Sequence, residues 1–295
     1  MVKNSEAGRR DFLVNLGLLT GALMLPNSQF AFGKGKPQEM KLGFVTYLWG
    51  KDWDQDTLIK NLTASKVLGV ELRVEHAHKV SPSLSKEERL QVKKKFADSP
   101  VEIVGMGTNQ QYDYDDPEKL KKSIEETKEY FQLSHDIGGS GVKVKPNQFR
   151  PGIPHEKTIE QIGKALNELA AYGANLGQQL RLEVHGNETQ ELYNIKAIMD
   201  VATHPNATVC WNCNSQDLNG GGLEANFNMV KDRFGDICHV RELNDTTYPY
   251  QELMNLFVKN KYKGWILLEC RTNPDDKVKA LIEQREIFMK MTGKK

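Results

Sequence analysis

Residues 141–185 read GVKVKPNQFRPGIPHEKTIEQIGKALNELAAYGANLGQQLRLEVH, and the fold follows from the unit they contain. Gly141–Lys145 and Leu180–His185 are short aliphatic runs with a charged or polar residue at alternate positions: Lys143 and Lys145 in one, Arg181, Glu183 and His185 in the other. Between them Ile159, Ile162, Leu166 and Leu169 return at helical spacing. Strand, helix and strand in that order predict parallel pairing through a right-handed crossover. The alternation continues outward on both sides. Further β-rich runs occur at Leu42–Leu48, Val70–Val74, Val101–Gly107, Thr208–Cys213, Ile237–Glu242 and Trp265–Arg271. Leu120, Ile124 and Phe131 form another helical face opened by Asp116-Pro117, and Val278, Leu281 and Ile282 carry the last helix. Eight strand–helix units in roughly 255 residues predict a (β/α)8 TIM barrel, a single domain over residues 39–295. A doubly wound open sheet would carry a glycine-rich turn after its first strand. Leu42–Trp49 runs instead into Gly50-Lys51-Asp52.

The 295 residues include 40 Lys and Arg against 39 Asp and Glu, a formal charge of +1. Without a basic excess to grip a phosphate backbone, nucleic acid is not expected as a partner. Cys210 and Cys213 form a lone C-x-x-C, with Cys238 and Cys270 elsewhere in late strands. No second pair or suitably spaced histidines accompany them, so they read as buried, apolar-like thiols rather than a zinc site or a disulfide framework.

The N-terminus reads differently. Gly8-Arg9-Arg10-Asp11-Phe12-Leu13 precedes the apolar stretch Phe12–Leu25, which Gly17 and Gly21 interrupt, and Ala31-Phe32-Gly33 offers a small-residue cleavage site. This resembles a twin-arginine signal for bacterial export of folded proteins. Residues 1–38 are therefore expected to be an address, and the mature protein periplasmic, with no stable membrane insertion after processing.

Side chains two apart on a strand share a face, and in a barrel functional groups gather at the C-terminal strand ends. Here the matched positions are Glu71, Arg73 and Glu75; Lys143, Lys145 and Asn147; Arg181, Glu183 and His185; Asn212 and Asn214; His239 and Arg241; Glu269 and Arg271. Unpaired buried charge is costly, so same-face polar sets on so many strands predict a convergent site. Glu183, Asn212, His239 and Glu269 fall on consecutive strands along one arc of the mouth. Two carboxylates, an imidazole and a side-chain carbonyl suit a divalent cation: Mn²⁺, Co²⁺, Mg²⁺ or Zn²⁺. The competing arrangement pairs Glu183 and Glu269 with Arg181 and Arg271 and holds no ion.

LRLEVH at Leu180–His185, ICHVRE at Ile237–Glu242, GWILLE at Gly264–Glu269 and GVEL at Gly69–Leu72 resemble the strand signatures of the xylose isomerase-like barrel superfamily. It includes sugar isomerases and epimerases, inosose dehydratases and a class of apurinic endonucleases. The resemblance implies metal ligation by Glu183, His239 and Glu269, with Asn212 standing where an Asp is usual. The neutral amide removes one negative charge from that set. A different register would put Arg241 in the histidine's place, but it leaves the Lys and Asp positions of the H-[VL]-K-D pattern unmatched. The chemistry implied is proton transfer beside a carbonyl, with Glu183 and Glu269 as the catalytic groups. Lys143, Lys145 and Arg241 would grip hydroxyls or an oxyanion, and His185 would contact substrate or support the ligands. A metal-dependent sugar isomerase or epimerase is expected, with a small carbohydrate as its ligand. Export favours a non-phosphorylated sugar or derivative and, with the charge balance, disfavours an endonuclease. Two alternatives stand beside it: a keto-sugar or keto-glycoside lyase or hydratase, and a non-catalytic carbohydrate-binding protein. Homo-oligomer formation is left open.

Replacing Arg9 and Arg10 with Lys is expected to retain the protein in the cytoplasm. Cell fractionation checks this, and undiminished export would remove the case for the address.

Overall fold

Strands and helices alternate without interruption through a computed structural model that describes residues 40–293; the expected address in residues 1–38 lies outside them. The strands are β1 (Lys41–Val45), β2 (Gly69–Arg73), β3 (Glu102–Gln111), β4 (Gly141–Lys145), β5 (Gln179–Glu183), β6 (Ala207–Cys210), β7 (Ile237–Val240) and β8 (Trp265–Leu268). The helices are α1 (Gln55–Ser65), α2 (Lys86–Ala97), α3 (Pro117–Ile137), α4 (His155–Asn175), α5 (Leu192–Val201), α6 (Gly222–Val230), α7 (Tyr250–Lys259) and α8 (Lys277–Met291). All strand pairs are parallel, in the order β6-β5-β4-β3-β2-β1-β8-β7. The seam between β6 and β7 carries isolated bridges at Val209–Phe234 and Asn212–His239, so the eight-stranded TIM barrel is nearly closed. No helix among the described residues is long and apolar enough to cross a membrane.

The helices form where the sequence places apolar faces and caps. In α4, Ile162, Ala165, Leu166, Leu169 and Ala170 are buried, and Ile159 packs against the same core. Asp116 caps α3 by accepting from the Glu118 and Lys119 amides, with Pro117 in the first turn. Leu180, Leu182 and Val184 face outward into the core shared with the helices, which leaves Arg181 and Glu183 on the inward face. The spacing of three in Cys210-x-x-Cys213 sends the two thiols to opposite faces. Cys210 packs inside the barrel with Val45, Val104 and Leu267, Cys213 belongs to the outer core, and all four cysteines are free and buried.

The floor of the barrel is built by size matching. A methyl at Gly69 would overlap the Trp265 indole, and one at Gly43 would lie 3.1 Å from it. On the other side, methyls at Gly105 and Gly141 would each come within 2.8 Å of the Arg181 guanidinium. Small residues on β1 to β4 thus make room for two large side chains from β8 and β5. Arg181 is satisfied there by the Val104 carbonyl at 3.1 Å, Ser140 Oγ at 2.7 Å and Gln179 Oε1 at 3.0 Å. It shares the inward face with Glu183, as expected, but works as a structural plug at the opposite end from the mouth.

The late strands end earlier than their sequence suggests. The ladders stop at Glu183, Cys210, Val240 and Leu268, short of the expected His185, Cys213, Glu242 and Arg271. Beyond these points side chains take over from ladder partners. Glu242 Oε1 accepts from the Arg271 and Thr272 amides at 2.9 and 2.7 Å, and Asn214 Nδ2 donates to the Val184 and Asn212 carbonyls, both at 2.9 Å.

Gly69→Ala is expected to lower stability by about 1–3 kcal/mol through overpacking against Trp265. Combined with Trp265→Leu, its cost should shrink, a coupling of roughly 1 kcal/mol in a denaturant double-mutant cycle. Strict additivity would count against the size-matched floor.

Candidate functional site

Above the floor, the next inward-facing rung is ionic. Lys143 Nζ on β4 lies 2.7 Å from Glu183 Oε2 on β5, both side chains almost wholly buried. Asn212 Nδ2 donates to Glu183 Oε1 at 3.1 Å, and His239 Nδ1 stands 3.4 Å from the same oxygen. The other imidazole nitrogen faces Glu71 Oε1 of β2 at 3.2 Å, without the alignment of a hydrogen bond. Glu269, just past β8, has Arg73 of β2 at 3.9 Å. Gly107 opens the space for Glu71, because a methyl there would lie 2.5 Å from Glu71 Oε1.

Burial and neighbours set opposed acidities within this rung. Burial alone would raise the Glu183 carboxyl, but the Lys143 ammonium and His239 outweigh it and hold the group well below the usual carboxylate range. Glu269 goes the other way, raised by burial and then by the Glu183 charge. Burial would lower the His239 imidazole, yet Cys210 beside it and the carboxylates of Glu71 and Glu183 on its two nitrogens hold it well above the ordinary range. Lys145, half-buried near the mouth, is lowered to about 8 by burial and by the Lys143 charge, while its Nζ donates to Asn109 at 3.0 Å.

The structure therefore brings Glu183, His239 and Glu269 together, with Asn212 and Lys143 bonded to Glu183. Neither glutamate pairs with Arg181 or Arg271: Arg181 is in the floor and Arg271 on the exposed rim. Lys143 lies within the ion pair, while Lys145, His185 and Arg241 sit higher, at the mouth. The loops after β4 and β5 hold that rim: Thr189 Oγ1 and the Asn187 amide donate to the Asn147 carbonyl, both at 3.0 Å. Only glycine fits at 186, where φ is +104° and a Cβ would collide with the Asn147 carbonyl. Glu71 and Arg73 are the participants whose roles the sequence reading left unassigned. Their signal was the same-face spacing on β2, which gave no hint that Glu71 reaches His239 across the interior.

One donor atom each from Glu183, His239 and Glu269 lie within 4.8 Å of one another, all buried. Two carboxylates and an imidazole fit a divalent first-row or magnesium-like cation, and the buried Glu71 oxygens beside them lack any hydrogen-bond partner. Asn212 meets the cluster through its amide nitrogen; a flip of the amide, which preserves its shape, would present Oδ1 instead.

A model of the xylose isomerase-like TIM barrel family matches residues 60–290. Among solved structures, the chain resembles L-ribulose 3-epimerase with a TM-score of 0.74 and 13% identity, covering 86% of this chain and 95% of that one. It resembles the 3-keto-D-glucoside 4-epimerase of E. coli with a TM-score of 0.71 and 11% identity, covering 85% and 100%. It also resembles the IolI protein, in a structure with a binding zinc atom, with a TM-score of 0.70 and 12% identity, covering 86% and 98%. At such identities the likeness is one of fold. No curated protein matches the chain by sequence.

Lys143→Met should destabilise the protein by about 3–5 kcal/mol at neutral pH, because it strands a buried carboxylate. Glu183 is depressed from 4.5 in the fold, so the pair contributes above that pH and is lost as pH falls through the folded value. The gap between parent and variant should accordingly narrow in acid, and Lys143→Met/Glu183→Gln should recover part of the loss. Denaturant titrations across pH measure both effects.

Proposed function

Because the chain belongs to the xylose isomerase-like TIM barrel family, we propose that it is a sugar epimerase or isomerase that moves a proton at the carbon beside a carbonyl. The observation that carries this reading is a pair of buried carboxyl groups with opposed acidities, Glu183 and Glu269, gathered with His239 at the mouth. Environments that push two carboxyls apart assign them base and acid roles.

Glu183, kept ionised by Lys143, takes the proton from the sugar carbon. Glu269, its carboxyl raised above the ordinary range by burial and by the Glu183 charge, supplies a proton to the product. Arg73 beside Glu269 and Lys143 beside Glu183 keep positive charge next to the developing oxyanion, while the His239 imidazole stands between Glu71 and Glu183. A divalent cation held by Glu183, His239 and Glu269, with Asn212 as a neutral fourth donor, would supply Lewis-acid polarisation of the carbonyl. Lys145, His185 and Arg241 face the sugar from the rim. The twin-arginine reading of residues 1–38 adds that the substrate is met in the periplasm as a sugar or derivative without phosphate.

Glu269→Gln is expected to cut turnover by roughly 10²–10⁴-fold with the melting temperature essentially unchanged, since the apolar strand–helix layer carries the fold. The assay follows exchange of the substrate C–H in deuterated water on non-phosphorylated ketoses, with Mn²⁺ added to protein purified without chelators. Exchange without loss of water or alcohol supports the reading. No exchange on any ketose, metal-loaded, would end it.

A further inference from the structure

One rung above the acid–base pair, the barrel mouth holds a cleft of about 510 Å³. His185, Asn214, Arg241 and Arg271 line it, each two residues beyond a member of the cluster below: Glu183, Asn212, His239 and Glu269. Two residues of extended chain advance about 7 Å, close to the length of a sugar ring. Asn187 and Gln216 complete the wall, and no carboxylate lines it.

The two arginines are anchored through their backbones. The Arg241 amide donates to Tyr250 Oη at 3.2 Å, and the Arg271 amide to Glu242 Oε1 at 2.9 Å. Their guanidiniums are different. Among the described residues neither forms an ion pair, and Arg241 Nε is buried with no partner. His185 Nδ1, on the same wall, is also buried and unpartnered. Arginine forks match the planar oxygen pairs of carboxylates and phosphates, and a buried donor left unpaired is costly until a ligand satisfies it. Around His185, the negative charge of Glu183 below is opposed by the positive charges of Lys145, Lys143 and Arg73.

We propose that this cleft recognises an anionic group on the sugar, gripped by Arg241 and Arg271 while the carbonyl end reaches Glu183 and Glu269: a carboxylate where the substrate is free of phosphate, as the export reading has it, and a phosphate only if that reading fails. The inference rests on the epimerase reading for what reacts below, but not for what binds above. It makes an acidic sugar, rather than a neutral one, the substrate class.

Calorimetric titration of the full-length protein with D-glucuronate, D-glucose 6-phosphate and D-glucose tests it. At least one anion should bind roughly tenfold or more tightly than glucose, with the preference weakening as salt is added. Preference for glucuronate alone or for the phosphate alone identifies the anion and supports the site. Arg241→Met and Arg271→Met should each reduce the preference, the double variant should abolish it, and the Lys versions should retain part of it. Equal affinity for all three probes, no binding of either anion at millimolar concentration, or a preference that survives the double variant would overturn the proposal. The titrations and the exchange assay, both on the metal-loaded parent protein, separate the two readings. Anion preference without C–H exchange on any sugar defeats only the epimerase reading, and exchange without anion preference defeats only this one.

Discussion

The buried pair of Lys143 and Glu183 is the contact on which the rest of the barrel mouth depends. A lysine and a glutamate at 2.7 Å inside a nearly closed barrel are tolerable only together, since each alone would be an uncompensated buried charge. Around them the inward faces of the strands hold a balanced set: the carboxyl groups of Glu71, Glu183 and Glu269 against Lys143, Arg73 and the imidazole of His239. The contacts tie β2 to β7 and to the end of β8, and β4 to β5. Loss of one member is therefore felt by strands that are not neighbours in the sheet.

That ionic rung sits on a floor made by volume alone. Gly43 and Gly69 leave room for Trp265, Gly105 and Gly141 leave room for Arg181, and the glycines are needed because the opposing side chains are large. Arg181 shows how position along the axis overrides chemical type. Two residues from Glu183 and on the same face, it meets carbonyl and hydroxyl oxygens at the closed end and takes no part in the site. A filled floor also keeps the functional groups at one end, where βα loops can approach them.

The fold was legible because its signals are local. The aliphatic runs, the apolar face of α4 and the Asp116-Pro117 start of α3 each specify an element without reference to the others, and parity placed Glu183, Asn212, His239 and Glu269 inward. The partners were not legible to the same degree. Nothing in the local sequence says that Lys143 binds Glu183 and leaves the mouth to Lys145, or that Glu71 faces His239; those contacts depend on strand stagger across the barrel. Strand lengths were overread for the same reason. Arg241 and Arg271 continue the alternation of β7 and β8, but the ladder ends before them, and only Glu242 and Tyr250 reveal how their backbones are held.

Charge balance also links the rim to the rung beneath it. With Glu71, Glu183 and Glu269 already faced by Lys143, Arg73 and His239, the donors Glu183, His239 and Glu269 can hold a divalent cation only if positive charge leaves or negative charge arrives. Release of the His239 proton is one route, because an imidazole must be neutral to ligate. An anionic substrate is the other, and it would bring its charge to the side of the cluster where Arg241 and Arg271 line the cleft. The neutral Asn212, where the resemblance implies an Asp, shifts the requirement further toward the substrate: the protein supplies one fewer negative charge, which an acidic sugar would restore. On this view the cationic rim and the Asn212 departure are two parts of one electrostatic arrangement, in which the substrate completes the balance that the side chains leave open.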